Sequence, residues 1–254
     1  MRIKLALIPV LALAGVLASC GGGDKGNSSA AVSSATPVPT VQAPAGKAWV
    51  DMISKTKDGG YLQGNPNAPI KLVEYGSRNC PYCGLFGRTA PEPLRKNYIS
   101  TGKVSWEFRD FLIHGAPDLA AALLNQCVPD ENFFSMLDQF FENQDNFLNR
   151  TEQLVKTNPQ LAQQLQQLPP PQAAVGFAEQ LGMIDFMKQR GVPEAKARQC
   201  LGDQKKIDEI AKVNADAATV HGVSGTPSFF INGNKVDAGS WEQLEPLLKA
   251  AGAR

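Results

Sequence analysis

One segment constrains this chain more than any other: Ile70-Lys71-Leu72-Val73-Glu74-Tyr75, then Gly76-Ser77-Arg78-Asn79, then Cys80-Pro81-Tyr82-Cys83. The apolar, partly β-branched run follows the turn-forming cluster Asn65 to Pro69 and predicts a short buried strand. Pro81 suits the first position of a helix, where its missing N–H costs nothing. Cys80 then caps the new helix and Cys83 sits one turn inside it. Leu85, Phe86 and Ala90 extend the helix, Pro91 and Pro93 disturb it, and Leu94 to Ile99 resumes it. Two residues between the thiols let both sulfurs meet across the first turn. The unsatisfied N–H groups and the positive dipole end at a helix cap favour thiolate at Cys80. Cys83, less exposed, would be the resolving thiol.

Two other uses of the pair compete. A closed zinc site needs a second Cys pair or paired histidines, whereas Cys127 and Cys200 are isolated and His114 and His221 are not paired, so no metal is expected. A purely structural disulfide closed by so short a loop would add little to folding.

Val104 to Phe108 alternates as a second strand. From about Asp118 the apolar spacing becomes helical for some ninety residues, with no fixed repeat period. LAAALLNQCV, NFFSMLDQFFENQ, PQLAQQLQQL, AAVGFAEQLGMIDFMKQRG and PEAKARQCLGD all read as helices, and Lys205 to Val220 as one more. Phe133, Phe134, Phe140 and Phe141 are most simply core packing of one of them. Strands return at Ser228 to Ile231 and Lys235 to Asp237 around an Asn-Gly turn, and Ser240 begins a last helix. The order predicts an α/β fold: a mixed sheet, helices on both faces, and a helical insert at about 112–202. Gly225-Thr226-Pro227 stands directly before the late strand, where proline is tolerated only if it opens the strand or makes a special turn. Beside a Cys-X-X-Cys helix, a cis Thr226–Pro227 bond is expected.

A strand, CPYC opening a helix, FRDF at Phe108 to Phe111, a helical insert, then GVSGTPSFFING and a terminal helix together resemble the DsbA-like branch of the thioredoxin superfamily. The resemblance covers Ile70 to about Ala250. It implies a thioredoxin fold with an inserted helical subdomain and a thiol–disulfide oxidoreductase that needs no cofactor. In that reading Cys80 and Cys83 are the redox pair and Pro227 is the cis proline lying against them. Thr226 would pair its backbone with an extended substrate segment. Glu74, six residues before Cys80, matches a buried acid that assists proton transfer from the resolving thiol; its plainer reading is a partly exposed strand carboxylate. Pro81 and Tyr82 tune the thiolate and contact substrate. Tyr82 departs from the histidine common in strongly oxidising members, and Thr226 is of isomerase type. Yet no separate dimerisation domain precedes the fold, which favours a monomer and an oxidase. An isomerase or reductase, or a non-catalytic binding protein of the same fold, remains the alternative. Cys127 and Cys200, at the two ends of the insert, are expected to form a second disulfide; two buried free thiols are the alternative.

The chain starts with Arg2 and Lys4 and an uncharged apolar run, Leu5 to Ala18, shorter than the ~20 residues of a comfortable membrane span. Residues 1–19 read as a secretory signal. Leu17-Ala18-Ser19-Cys20 resembles a bacterial lipobox, which implies lipidation at Cys20. The Gly-, Ser-, Ala- and Pro-rich residues 20–46 read as a flexible tether, and the domain as 47–254. The expected location is the periplasmic side of a bacterial membrane, the outer one slightly favoured. The expected partners are cysteine-containing exported proteins and a DsbB-like or DsbD-like membrane redox partner. With 25 basic and 24 acidic residues and no basic patch, nucleic acid is not among them.

Overall fold

The computed structural model describes Ser34 and residues 36–254, so the signal expected at 1–19, Cys20 and most of the expected tether lie outside the described residues. Six strands form one sheet: β1 (Ile53–Lys55), β2 (Tyr61–Gly64), β3 (Ile70–Gly76), β4 (Val104–Asp110), β5 (Ser228–Ile231) and β6 (Asn234–Val236). Their order is β1-β2-β4-β3-β5-β6. Only β3 and β4, at the centre, run parallel, as a strand–helix–strand crossover requires. The β5–β6 hairpin turns on Asn232 and Gly233, both at positive φ, the geometry that matches strand twist.

The period of two along β3 decides what lies beneath the Cys pair. Ile70, Leu72 and Glu74 face one side of the sheet, and Val73 and Tyr75 the other. The first side is covered by α1 (Pro81–Thr89), α2 (Pro91–Leu94), a π-helical turn at Arg95–Ile99 and the C-terminal α11 (Trp241–Ala250). The two prolines at 91 and 93 make the break between α1 and α2, since neither can donate to the preceding turn. Behind the sheet, Tyr75, Phe111 and Phe230 pack with Ala217 of α10 (Gln204–Thr219).

The insert is helical throughout: α3 (Ala116–Asn125), α4 (Phe133–Glu142), α5 (Gln144–Thr157), α6 (Pro159–Gln167), α7 (Pro170–Gln180), α8 (Met183–Lys188) and α9 (Glu194–Leu201). It has a core of its own. Helix α4 joins the two cores. Phe133, Phe134, Leu137 and Phe141 face the sheet core, while Met136 and Phe140 face the insert core. Cys127 and Cys200 are joined by a disulfide across 73 residues, tying the start of the insert to its end.

Several segments differ from the sequence expectation. The hairpin β1–β2 was not expected. Its strands are three and four residues long and persist because β2 pairs with β4. Strand β4 continues to Asp110, since Arg109 and Asp110 are buried in ion pairs with Glu107, Asp58 and Arg78. Gly182, at φ 73, splits one expected helix into α7 and α8. Residues expected to be flexible tether are already laid on the domain. Val38 N–H donates to Gly252 O (2.8 Å), Val41 N–H donates to Thr101 O (2.9 Å), and Val38 and Ala43 pack on the sheet core. The chain therefore joins the fold well before Lys47, at the end of the sheet where β4 starts.

Candidate active site

Cys80 is the residue before the first helical turn of α1, in extended conformation, with Pro81 at the first helical position. Both thiols are free; Cys80 is 3% exposed and Cys83 0%. Tyr82, between them, is 70% exposed and marks the protein surface at this point. The Thr226–Pro227 peptide is cis. That turn brings Thr226 O to 3.2 Å from Cys80 Sγ, which donates to it. The Thr226 hydroxyl is buried with no hydrogen-bond partner.

The two sulfurs are driven apart in acidity. A hydrogen bond from the Cys83 thiol is the largest cause lowering Cys80, to about 5 from an ordinary 9.0. Burial opposes this, while Thr226 and the backbone N–H groups of Cys83 and Tyr82 add to it. Cys83 goes the other way: burial first, then the neighbouring Cys80 and Glu74 charges, push it well above the ordinary value. At neutral pH one sulfur is a thiolate and its neighbour a thiol.

Glu74 lies on the sheet face under α1, fully buried. Trp106 Nε1 donates to its Oε2 at 3.0 Å, and Oε1 has no partner. Burial raises its pKa to about 8, against the lowering effects of Trp106 and Arg78. It is a buried, neutral acid at pH 7, and its charge acts on Cys83 when it ionises.

Sequence reading missed the polar scaffold that holds the loop before Cys80. Asp118, buried at the start of α3, accepts from Ser77 Oγ and Asn79 Nδ2, both at 2.8 Å. Arg78 is buried, ion-paired with Asp110, and donates to Asn125 Oδ1 at 2.9 Å. Gln144, at the start of α5, donates to Arg78 O (2.9 Å) and Cys80 O (2.8 Å). A Cβ at Gly84 would lie 1.9 Å from Gln144 Oε1, so only glycine admits this amide beside α1. The available signal was three consecutive polar residues, Ser77-Arg78-Asn79, between a buried strand and a buried helix: they must find partners, and the insert supplies them. Cys127 and Cys200, both half-buried, form their own disulfide in the insert, with Cys127 packed against its core. Among the described residues no cluster of His, Cys, Asp or Glu side chains is arranged to hold a metal ion.

A family model described as thioredoxin matches residues 56–250. A Rickettsia conorii protein named as a protein-disulfide oxidoreductase is 30% identical over 188 residues, 72% of this chain and 57% of its own length. A Rickettsia prowazekii protein of the same description is 27% identical over 201 residues, 78% of this chain and 63% of its own. The chain thus spans less than two thirds of the length of these curated relatives. The crystal structure of a protein-disulfide isomerase from Novosphingobium aromaticivorans superposes with TM-score 0.70 at 28% identity, over 74% of this chain and 95% of that one. Wolbachia pipientis alpha-DsbA1 shares the fold, with TM-score 0.56 at 23% identity over 76% and 91% of the two chains. With its crossover from β3 to β4, its Cys-X-X-Cys helix and its helical insert, the chain belongs to the thioredoxin family and has the DsbA-like fold with a helical insertion.

Proposed function

We propose that the chain is a protein thiol–disulfide oxidoreductase with Cys80 as the sulfur that meets substrate. The observation that carries this is the split pair: a thiolate-forming Cys80 held against the cis Thr226–Pro227 turn, over a Cys83 held protonated. In the oxidising direction a substrate thiolate attacks Cys80 Sγ of the Cys80–Cys83 disulfide. The bond between the two cysteines breaks, a mixed disulfide forms, and Cys83 leaves as a thiolate that takes up a proton. Glu74, neutral at pH 7 beneath it, supplies that proton. The second substrate thiolate then attacks the substrate sulfur of the mixed disulfide, the substrate disulfide forms, and Cys80 leaves as a stable thiolate. Thr226 O is free to pair with an extended substrate once Cys80 has lost the proton it donates there.

Stabilising the Cys80 thiolate stabilises the reduced protein. With Cys80 at about 5, the gain at pH 7 over an ordinary dithiol is about 3 kcal/mol, or roughly 60 mV toward oxidant. That favours the oxidase, re-oxidised by a DsbB-like membrane partner. The isomerase or reductase reading, served by a DsbD-like donor, is favoured instead by the likeness to the Novosphingobium protein-disulfide isomerase. The reduction potential of the Cys80–Cys83 pair, measured with peptide oxidation and insulin reduction, separates them. A high potential with peptide oxidation supports the oxidase, a low potential with insulin reduction supports the reductase, and no turnover in either assay refutes both.

The substrates we assign are exported proteins with paired cysteines, met at the periplasmic side of a membrane to which Cys20 is lipidated. The signal-like residues 1–19 and the Leu17-to-Cys20 pattern support this. Cys20→Ala should release the protein from membranes; retention in the membrane fraction would refute the anchor.

A further inference from the structure

The loop after β4 places His114 within the same polar cluster that holds the Cys80 loop, although neither its spacing nor its neighbours in sequence give it a role. Asp118 is the joint. Its Oδ1 accepts from Ser77 and Asn79 on the Cys80 side. Its Oδ2 accepts from the His114 backbone N–H at 2.7 Å and lies 3.3 Å from His114 Nδ1. One buried carboxylate thus clamps an imidazole to the residues that deliver the thiolate. The His114 side chain remains 44% exposed, so the ring takes and loses its proton to solvent.

We propose that His114, clamped by Asp118, is a positioning residue for the reacting sulfur: its protonated ring stabilises the Cys80 thiolate and makes the redox equilibrium pH-dependent near neutrality. The titratable groups that act on His114 are Asp118 from α3 and Cys80 from the cap of α1. Asp118 is the main cause of the raised pKa of the ring, burial opposes it, and the Cys80 charge raises it further. Coupling of this kind is reciprocal: whatever the thiolate does for the imidazolium, the imidazolium does for the thiolate. Because the ring is half in water, the coupling is well below that of a buried contact pair. The proposal rests on Cys80 being the low-pKa sulfur.

The test reads both partners. In the full folded domain, the His114 ring is titrated by NMR in the dithiol and disulfide forms. The midpoint should be about half a pH unit higher in the dithiol form, where the thiolate exists; equal midpoints overturn the proposal. His114→Gln keeps the backbone N–H bond to Asp118 and should raise the Cys80 midpoint by the same amount. Its equilibrium with glutathione at pH 6.5 should move about threefold toward the disulfide, and the difference from the unmodified protein should fade as pH rises beyond the ring's own midpoint. A pH-independent offset would mark a merely structural role and overturn it. An ordinary Cys80 midpoint in the unmodified protein would instead remove the reading of the site itself, an outcome distinguishable from a low midpoint that His114 does not touch.

Discussion

Glu74→Gln offers the most quantitative consequence of the site's burial. The carboxyl is fully buried, its Oε1 lacks any partner, and its pKa stands at about 8 against an ordinary 4.5. A group raised in the folded state stabilises the fold fully below its unfolded value, and that stability is lost as pH rises through the folded value. For Glu74 the window is therefore pH 4.5 to 8. Integrated over it, the carboxylate costs the fold about 4 kcal/mol between pH 5 and pH 8.5. Gln cannot ionise, so its cost is the same at every pH: a buried amide N–H facing the place where Oε1 had no partner, about 1–3 kcal/mol. The variant should be less stable than the unmodified protein at pH 5 and more stable at pH 8.5. The assay is urea unfolding of the disulfide form at pH 5, 7 and 8.5, so that Cys80 and Cys83 do not titrate and the remaining groups cancel between the two proteins. A stability difference constant to within about 1 kcal/mol over that range would refute the reasoning, since it would mean that Glu74 is solvated or ionised throughout.

Thr226→Val removes the hydroxyl that helps hold the thiolate and should raise the Cys80 midpoint by about half to one pH unit; an unmoved midpoint in thiolate absorbance would show the hydroxyl idle. Gly84→Ala must displace the Gln144 amide, breaking its bonds to Arg78 O and Cys80 O, and should cost about 1–3 kcal/mol together with a slower reaction at Cys80; unchanged stability and rate would contradict the close packing at α1. Replacing Cys127 and Cys200 together by Ser opens a loop of 73 residues and should lower stability by about 4 kcal/mol, with the Cys80 midpoint unchanged; a shifted midpoint would mean that the insert disulfide tunes the site.

What could be read in the sequence was local. Strand β3 and helix α1 announce themselves because an apolar run and Pro81 each act within a few residues. The β5–β6 hairpin does so because Asn232-Gly233 can take positive φ. Phe133, Phe134, Phe140 and Phe141 read as core, and all four are buried. What escaped was long-range. Strands β1 and β2 contain Lys55, Gln63 and Gly64 and have no pattern of their own; pairing with β4 makes them strands. Helix α5 is polar over most of its length and buries chiefly Gln144, Phe147 and Leu154, too few for a clear periodic signal. Val38 and Val41 look like tether because their neighbours are Pro, Thr and Gln, and only the docked C-terminus and the Thr101–Gly102 turn give their backbone partners. The scaffold around Ser77, Arg78 and Asn79 joins residues 32 to 66 positions apart, so each half is an ordinary polar residue until the fold assembles them.

The central claim concerns a single sulfur, and ultraviolet absorbance of its thiolate reads it directly. Titrating the reduced protein from pH 3 to 10, with Cys80→Ser as the blank, should give a midpoint near 5 for the difference signal. A midpoint near the ordinary 9.0 would contradict the account at its root.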